Sequence, residues 1–150
     1  MQFPAVASTH VLADEQTLHV GQVTVTVHFT PGHTPSGTSW SWQSCEGIRC
    51  VQLVYVDSLN PVSAPEFRFT QSPTKVAEFR SSIEKIRRLP CDIIVSAHPS
   101  FSSLFERWED SKRSGSRESF VKTSGCTDYA QDAMERLRKR IAVEASVNQP

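Results

Sequence analysis

At 150 residues the chain is long enough for one domain with a real core, or for part of a larger one. Sixteen Lys and Arg balance sixteen Asp and Glu, so the formal net charge is zero and nothing resembles the basic footprint of a nucleic-acid binder. A hydrophobic content of 38% fits a soluble protein, and no apolar run approaches the ~20 residues that span a bilayer.

In chain order, residues 11–14 and 17–20 read as two short strands around a turn. Val23 to Phe29 alternates strictly. Val23, Val25, Val27 and Phe29 share one face, and Thr24, Thr26 and His28 share the other, which predicts a half-buried strand. Residues 30–37 carry two prolines and two glycines, so they form a constrained loop. A strand resumes over residues 38–42, and Glu46-Gly47 makes a turn between Cys45 and Cys50. Residues 51–56 form a strong strand ending at Asp57-Ser58. Ser72-Pro73 reads as a helix start, with Ser72 as cap and Pro73 at the first helical position. Val76, Phe79, Ile83 and Ile86 follow at helical spacing, and Pro90 ends the helix. Residues 92–97 are a short apolar strand that delivers His98. Residues 111–119 are polar and read as mobile. The last helix covers about 128–145, with Tyr129, Ala133, Leu137 and Ile141 on one stripe and a solvated charged face over 135–140.

Strands alternating with helices give an α/β or α+β class, with a partly antiparallel sheet early on. There is no internal repeat and no sign of two domains, so residues 1–150 are read as one unit.

Of five histidines, His10, His19 and His28 read as ordinary surface or core residues. His33 and His98 each follow a strand and are flanked by prolines or glycines that fix the backbone, so a rigid base presents them. Neutral imidazoles so placed suit a zinc ion, yet two histidines are not a site, because catalytic zinc usually takes three protein ligands plus water. Four cysteines without a Cys-x-x-Cys spacing leave two readings open: two disulfides in an oxidising compartment, or four free thiols. Met1-Gln2-Phe3-Pro4 has neither the basic nor the apolar region of a secretory signal. Paired cysteines beside a missing signal suggest that the true N-terminus is absent.

Thr30-Pro31-Gly32-His33-Thr34-Pro35 resembles a metal-binding loop of the metallo-β-lactamase superfamily, in a register that continues through Gly37-Thr38-Ser39-Trp40. Val54-Tyr55-Val56-Asp57-Ser58-Leu59 looks like the superfamily's strand-end motif. Leu89 to Pro99, with its Leu-Pro-Cys-Asp and His-Pro pairs, is similar to the last ligand segment of subclass B3 enzymes, and Cys126-Thr127-Asp128-Tyr129-Ala130 narrows the likeness to that subclass. The resemblance runs from Phe3 to the terminal helix.

It implies the C-terminal half of an αββα sandwich, one mixed sheet with flanking helices, from a zinc-dependent hydrolase of β-lactam antibiotics. Carried over by position, His33 would ligate the first of two zinc ions and His98 the second. Ser58 and Asn60 would face substrate, although Asn60 departs from the serine of some family members. Asp57 would stand behind the ligands, and Ser58, not being cysteine, argues against subclasses B1 and B2. Ser36 replaces the usual glycine after the second proline. The resemblance also pairs Cys91 with Cys126 and Cys45 with Cys50.

The family's His-x-His-x-Asp-His motif is absent. The expectation is therefore a fragment, inactive or incomplete alone, whose full-length parent is periplasmic or secreted. Its uncovered apolar face, around Val23, Val25, Val27 and Phe29, would favour association. The rival readings are another hydrolase of the superfamily, a lactonase or glyoxalase-like thioesterase, and a non-catalytic half-domain that self-associates.

Overall fold

Strict alternation in the first half of the chain gives a hairpin-linked sheet. The computed structural model describes residues 10–147, so the readings made on Met1 to Pro4 and the resemblance upstream of residue 10 lie outside the described residues. Strands β1 (Thr17–Val20), β2 (Val23–Phe29), β3 (Thr38–Glu46), β4 (Arg49–Val56) and β5 (Ile93–Ser96) lie side by side in chain order. The first four are antiparallel neighbours, and β5 runs parallel to β4. Helix α1 (Pro73–Arg88) makes the crossover between β4 and β5, as a parallel pair requires. Helices α2 (Leu104–Ser114) and α3 (Gly125–Val147) follow, with single 3-10 turns at Phe69–Gln71, Pro99–Ser102 and Arg117–Phe120. This is a mixed five-stranded α+β half-domain.

The helices cover one face of the sheet. Val54, Val56 and Ile94 pack there against Phe79, Ile83 and Ile86 of α1 and against Tyr129, Ala133 and Leu137 of α3. Burying each large side chain contributes about 1.5–3 kcal/mol before conformational entropy is counted. The buried helical residues recur at the spacing that the sequence shows.

Among the described residues no helix covers the other face. Val20, Val23, Val25, Trp40, Trp42 and Tyr55 line an open apolar trough of about 410 Å3 there. Of the four residues expected to be uncovered, Val23 and Phe29 are exposed and Val25 is half-buried. Val27 is not: it is fully buried, with the large ring of Trp40 directly across the β2–β3 pair.

Several sequence expectations need correction. Residues 11–14 form no strand. Gln16 N–H donates to Ala13 O at 3.2 Å, and Glu15 takes a φ of 63°, so this segment is a turn. Ser72 precedes α1, but its side chain makes no cap; its carbonyl accepts from Val76 N–H instead. Residues 111–119 fall in the end of α2 and the turn after it, where the Ser116 hydroxyl accepts from Glu118 N–H at 3.1 Å. The charged face of α3 is only partly solvated. Arg136 lies 4.1 Å over the Phe101 ring, and Arg140 pairs at 2.7 Å with the buried Glu144, which also accepts from Thr70 N–H.

Two disulfides join Cys45 to Cys50 and Cys91 to Cys126, and no described cysteine is free. The first closes the β3–β4 hairpin, whose turn is made by Gly47 at a φ of 61°. The second ties the approach to β5 to the first turn of α3. No helix among the described residues is long and apolar enough to cross a membrane.

Candidate metal centre

Three loops meet at one edge of the sheet, because β2, β4 and β5 all end there and β3 begins there. The first loop, residues 30–37, is a closed structure. Thr30 N–H donates to Gly37 O at 2.8 Å, and the Thr30 and Ser39 hydroxyls share a 2.9 Å hydrogen bond. Ser82 on α1 donates to Pro31 O at 2.6 Å. Gly32 and Gly37 are glycines for want of room. A Cβ at Gly32 would stand 3.1 Å from the Phe79 ring, and one at Gly37 would stand 2.5 Å from Thr30 O.

His33 projects from this loop into solvent. Its Nδ1 lies 3.2 Å from the Asn60 carbonyl. A carbonyl only accepts, so Nδ1 is the donor in this contact and Nε2 is the ring nitrogen left on the far side. Metal-ligating histidines are commonly fixed from behind by a backbone oxygen in this way. A cleft of about 280 Å3, lined in part by Val62, Phe67 and Lys75, opens beside the ring.

The second loop leaves β4. Asp57 N–H donates to Ser39 Oγ at 3.1 Å, and the Asp57 carboxylate accepts from Ser58 N–H at 2.7 Å. Ser58 is buried, with its hydroxyl 3.4 Å from Asn60 N–H. Asn60 is half-buried and reaches the site through its main chain.

The third loop leaves β5. Ala97 N–H donates to Val56 O at 3.0 Å and extends the parallel pairing one residue past the strand. His98 follows, exposed, with its amide on Ser96 Oγ at 3.3 Å and its ring edge-on to Phe101 at 5.4 Å.

Tyr129 joins the second and third loops. Its hydroxyl accepts from Leu59 N–H and donates to Asp57 O, each at 3.4 Å, and it also bonds the Ser96 side chain. Burial raises the phenol above its ordinary pKa, so it is a neutral donor and acceptor at any physiological pH. The sequence showed Tyr129 only as one member of an apolar stripe, and nothing in its spacing reveals the hydroxyl's role.

His33 and His98 thus follow strand ends on one side of the sheet, His33 after β2 and His98 after β5, with the loop that leaves β4 between them. Among the described residues no group of three or more His, Cys, Asp or Glu side chains converges. The donor set therefore fits an imidazole-favouring metal in part, as two ligands of a larger set. His19 lies away from this edge and bonds Thr24 at 3.2 Å, whereas the buried His28 is the penultimate residue of β2, opposite Ser39, and bonds Ser41 at 2.7 Å. A wider hollow of about 480 Å3, around Cys45, Arg49, Arg117 and Glu118, lies at the opposite end of β3 and β4.

The mixed sheet with its helices on one side, and with a histidine after β2 and another after β5 at the same strand ends, is the half-domain of a metallo-β-lactamase fold. Solved structures place the chain within that fold. It superposes on the Rm3 metallo-β-lactamase with a TM-score of 0.88 and 42% identity, over 95% of this chain and 54% of that one. MEM-A1, a subclass B3 enzyme from a soil metagenome library, gives 0.88 and 37%, over 95% and 55%. MIM-1 from Novosphingobium pentaromativorans gives 0.87 and 36%, over 98% and 52%. The chain resembles half of a subclass B3 metallo-β-lactamase and spans about half the length of the solved structures it matches. No family model matches it.

Proposed function

We propose that this chain supplies the C-terminal half of a zinc-dependent hydrolase that opens the amide bond of β-lactam antibiotics. The observation that supports the reading is His33, its Nδ1 against the Asn60 carbonyl, at the same ends of the strands as His98. His33 serves the first zinc and His98 the second. When bound, zinc lowers the pKa of water and polarises the amide carbonyl. The chain's own residues orient that chemistry. Asn60 O fixes the His33 ring, Asp57 and Ser39 lock the floor between the loops, and Ser58 and Asn60 shape the substrate side.

Two donors hold zinc weakly, so the remaining ligands come from outside the described residues and these 150 residues alone do not turn over substrate. The apolar trough is the face on which the rest of the sandwich packs. The same trough supports a second reading, self-association of a non-catalytic half-domain. A lactonase or thioesterase of the same superfamily is the rival hydrolase reading, and the two cysteine pairs and Ser58 argue against it. The buried disulfide suits an oxidising compartment, so the proposed site of action is periplasmic or extracellular.

The test is made on the oxidised chain, with circular dichroism to confirm folding. Zinc affinity is measured by titration, and hydrolysis is followed with a chromogenic cephalosporin. A folded chain that binds zinc through both histidines, without turnover, supports the proposal. Equal zinc affinity in a His33→Ala/His98→Ala double variant removes the metal centre. Chelator-sensitive hydrolysis by the chain alone overturns the half-site reading.

A further inference from the structure

The only buried side chain of α2 is a charged one. Arg107 turns its guanidinium inward under the His98 loop and forms no ion pair there among the described residues, with Glu106 acting on it only through space. It donates instead to four backbone carbonyls. Nε reaches Ser103 O at 3.4 Å, Nη1 reaches Phe120 O at 3.1 Å, and Nη2 reaches both Ile94 O, at 3.0 Å, and Ser102 O. Burial lowers its pKa from the usual value, but a guanidinium remains protonated.

The two carbonyls on Nη2 lie at either end of the segment that carries His98. Ile94 is four residues before it and Ser102 four residues after. One nitrogen therefore closes the segment with the histidine at its apex. Inside the segment the backbone is held by Ala97 N–H on Val56 O and by Phe101 N–H on His98 O. Beyond Ser102, Ser103 takes a left-handed φ of 49°, a conformation that costs a non-glycine residue about 1–2 kcal/mol. The guanidinium holds that residue's carbonyl too.

A solvated turn would need no such clamp. Ser103 O also accepts from the Arg107 N–H at 3.1 Å, but leaving Phe120 O, Ile94 O and Ser102 O without the guanidinium would be costly, and a planar fork answers several carbonyls at once where an ammonium cannot. We propose that Arg107 is the positioning residue for His98, fixing through the main chain where the imidazole is presented. As a statement about a metal ligand, this rests on the zinc-site reading above; as a statement about the loop, it does not.

The test compares the chain with its Arg107→Lys variant by NMR, without metal. Amide exchange of Ala97 and Phe101 should quicken at least about 10-fold, and the His98 ring resonances should move, while the core amides of α1 and α3 and the His33 ring stay unchanged. Unchanged loop exchange overturns the proposal, and so does a uniform rise across the chain, which reports only global loosening. In the unsubstituted chain, where folding of the variant is not at issue, the Arg107 guanidinium protons should be resolved and slow to exchange; free rotation overturns the clamp. Zinc titration then joins the loop to the metal. Affinity should fall about 10–100-fold in Arg107→Lys, the usual effect of losing a group that orients a ligand, and the fall should vanish when His98 is already Ala. A loss that persists in the His98→Ala background overturns the assignment. If the unsubstituted chain takes up no zinc, the metal reading fails, and the exchange data alone decide Arg107.

Discussion

Opening the two disulfides should have unequal effects, because they constrain different things. Cys91 and Cys126 are 35 residues apart, and both are buried in the core cluster. In the chain-entropy model a loop of that size restricts the unfolded chain by about 13 cal/mol/K, or roughly 4 kcal/mol at 25 °C. Cys45 and Cys50 are five residues apart in an exposed hairpin whose register the β3–β4 ladder already sets. The same expression gives at most about 2 kcal/mol there. Reducing both bridges while keeping every sulfur in place isolates the cross-links from packing. The Cys91→Ala/Cys126→Ala and Cys45→Ala/Cys50→Ala variants then apportion the loss. Urea unfolding followed by far-UV circular dichroism should show the core pair lowering stability by about 4 kcal/mol, a large share of a typical domain's 5–15 kcal/mol. The hairpin pair should lower it by 2 kcal/mol or less. Equal losses, or a greater loss from the hairpin, would refute the argument from loop length and burial.

Stability should also depend on pH through His28. Burial is the main cause of its lowered pKa, with Lys85 adding to it and Asp14 and Glu15 opposing it. The unfolded chain therefore takes up a proton near pH 6.5 that the folded chain refuses. The stability from this group is complete above that value and is lost as pH falls below it, so the urea midpoint should drop between pH 7.5 and 5.5. A His28→Gln variant should flatten that slope, and an unchanged slope would exclude His28 as its source. Gly37→Ala should cost about 1–3 kcal/mol in urea unfolding, the usual cost of overpacking, because the new Cβ would meet Thr30 O at 2.5 Å and approach the Asp57 carboxylate at 3.2 Å. A loss under about 0.5 kcal/mol, small beside that range, would mean that the loop has room the structure does not show.

What the sequence made legible follows from periodicity. β2 was readable from alternation, β4 as a strong apolar run, and α1 and α3 from apolar stripes that the core now occupies. Helix α2 was not readable. Its Phe105 and Trp108 are exposed, and its buried residue is Arg107, which no hydrophobic pattern registers as core. The strand expected at residues 11–14 fails because its apolar residues are not covered: Val11 is almost fully exposed and the chain turns at Glu15. At the site, His33 and His98 could be singled out because each follows a strand and sits among residues that fix the backbone. Tyr129 could not, because its hydroxyl acts on Leu59 and Asp57, some seventy positions earlier in the chain.

The strand directions explain why two histidines so far apart in sequence share an edge. β2 ends where β3 begins, and β4, antiparallel to β3, ends at that same side. Had β5 followed β4 as another hairpin, His98 would have emerged at the opposite side, beside the Cys45–Cys50 turn. The crossover through α1 makes β5 parallel to β4 and returns its end to the edge that carries His33. The core of α1 therefore bears on the site as well as on stability. Phe79 and Ser82, which pack under Gly32 and hold Pro31 O, fix the His33 loop from the same helix that carries the chain across to β5. A change that loosens α1 should disturb both loops together, whereas the loss of Arg107 should disturb only the loop of His98.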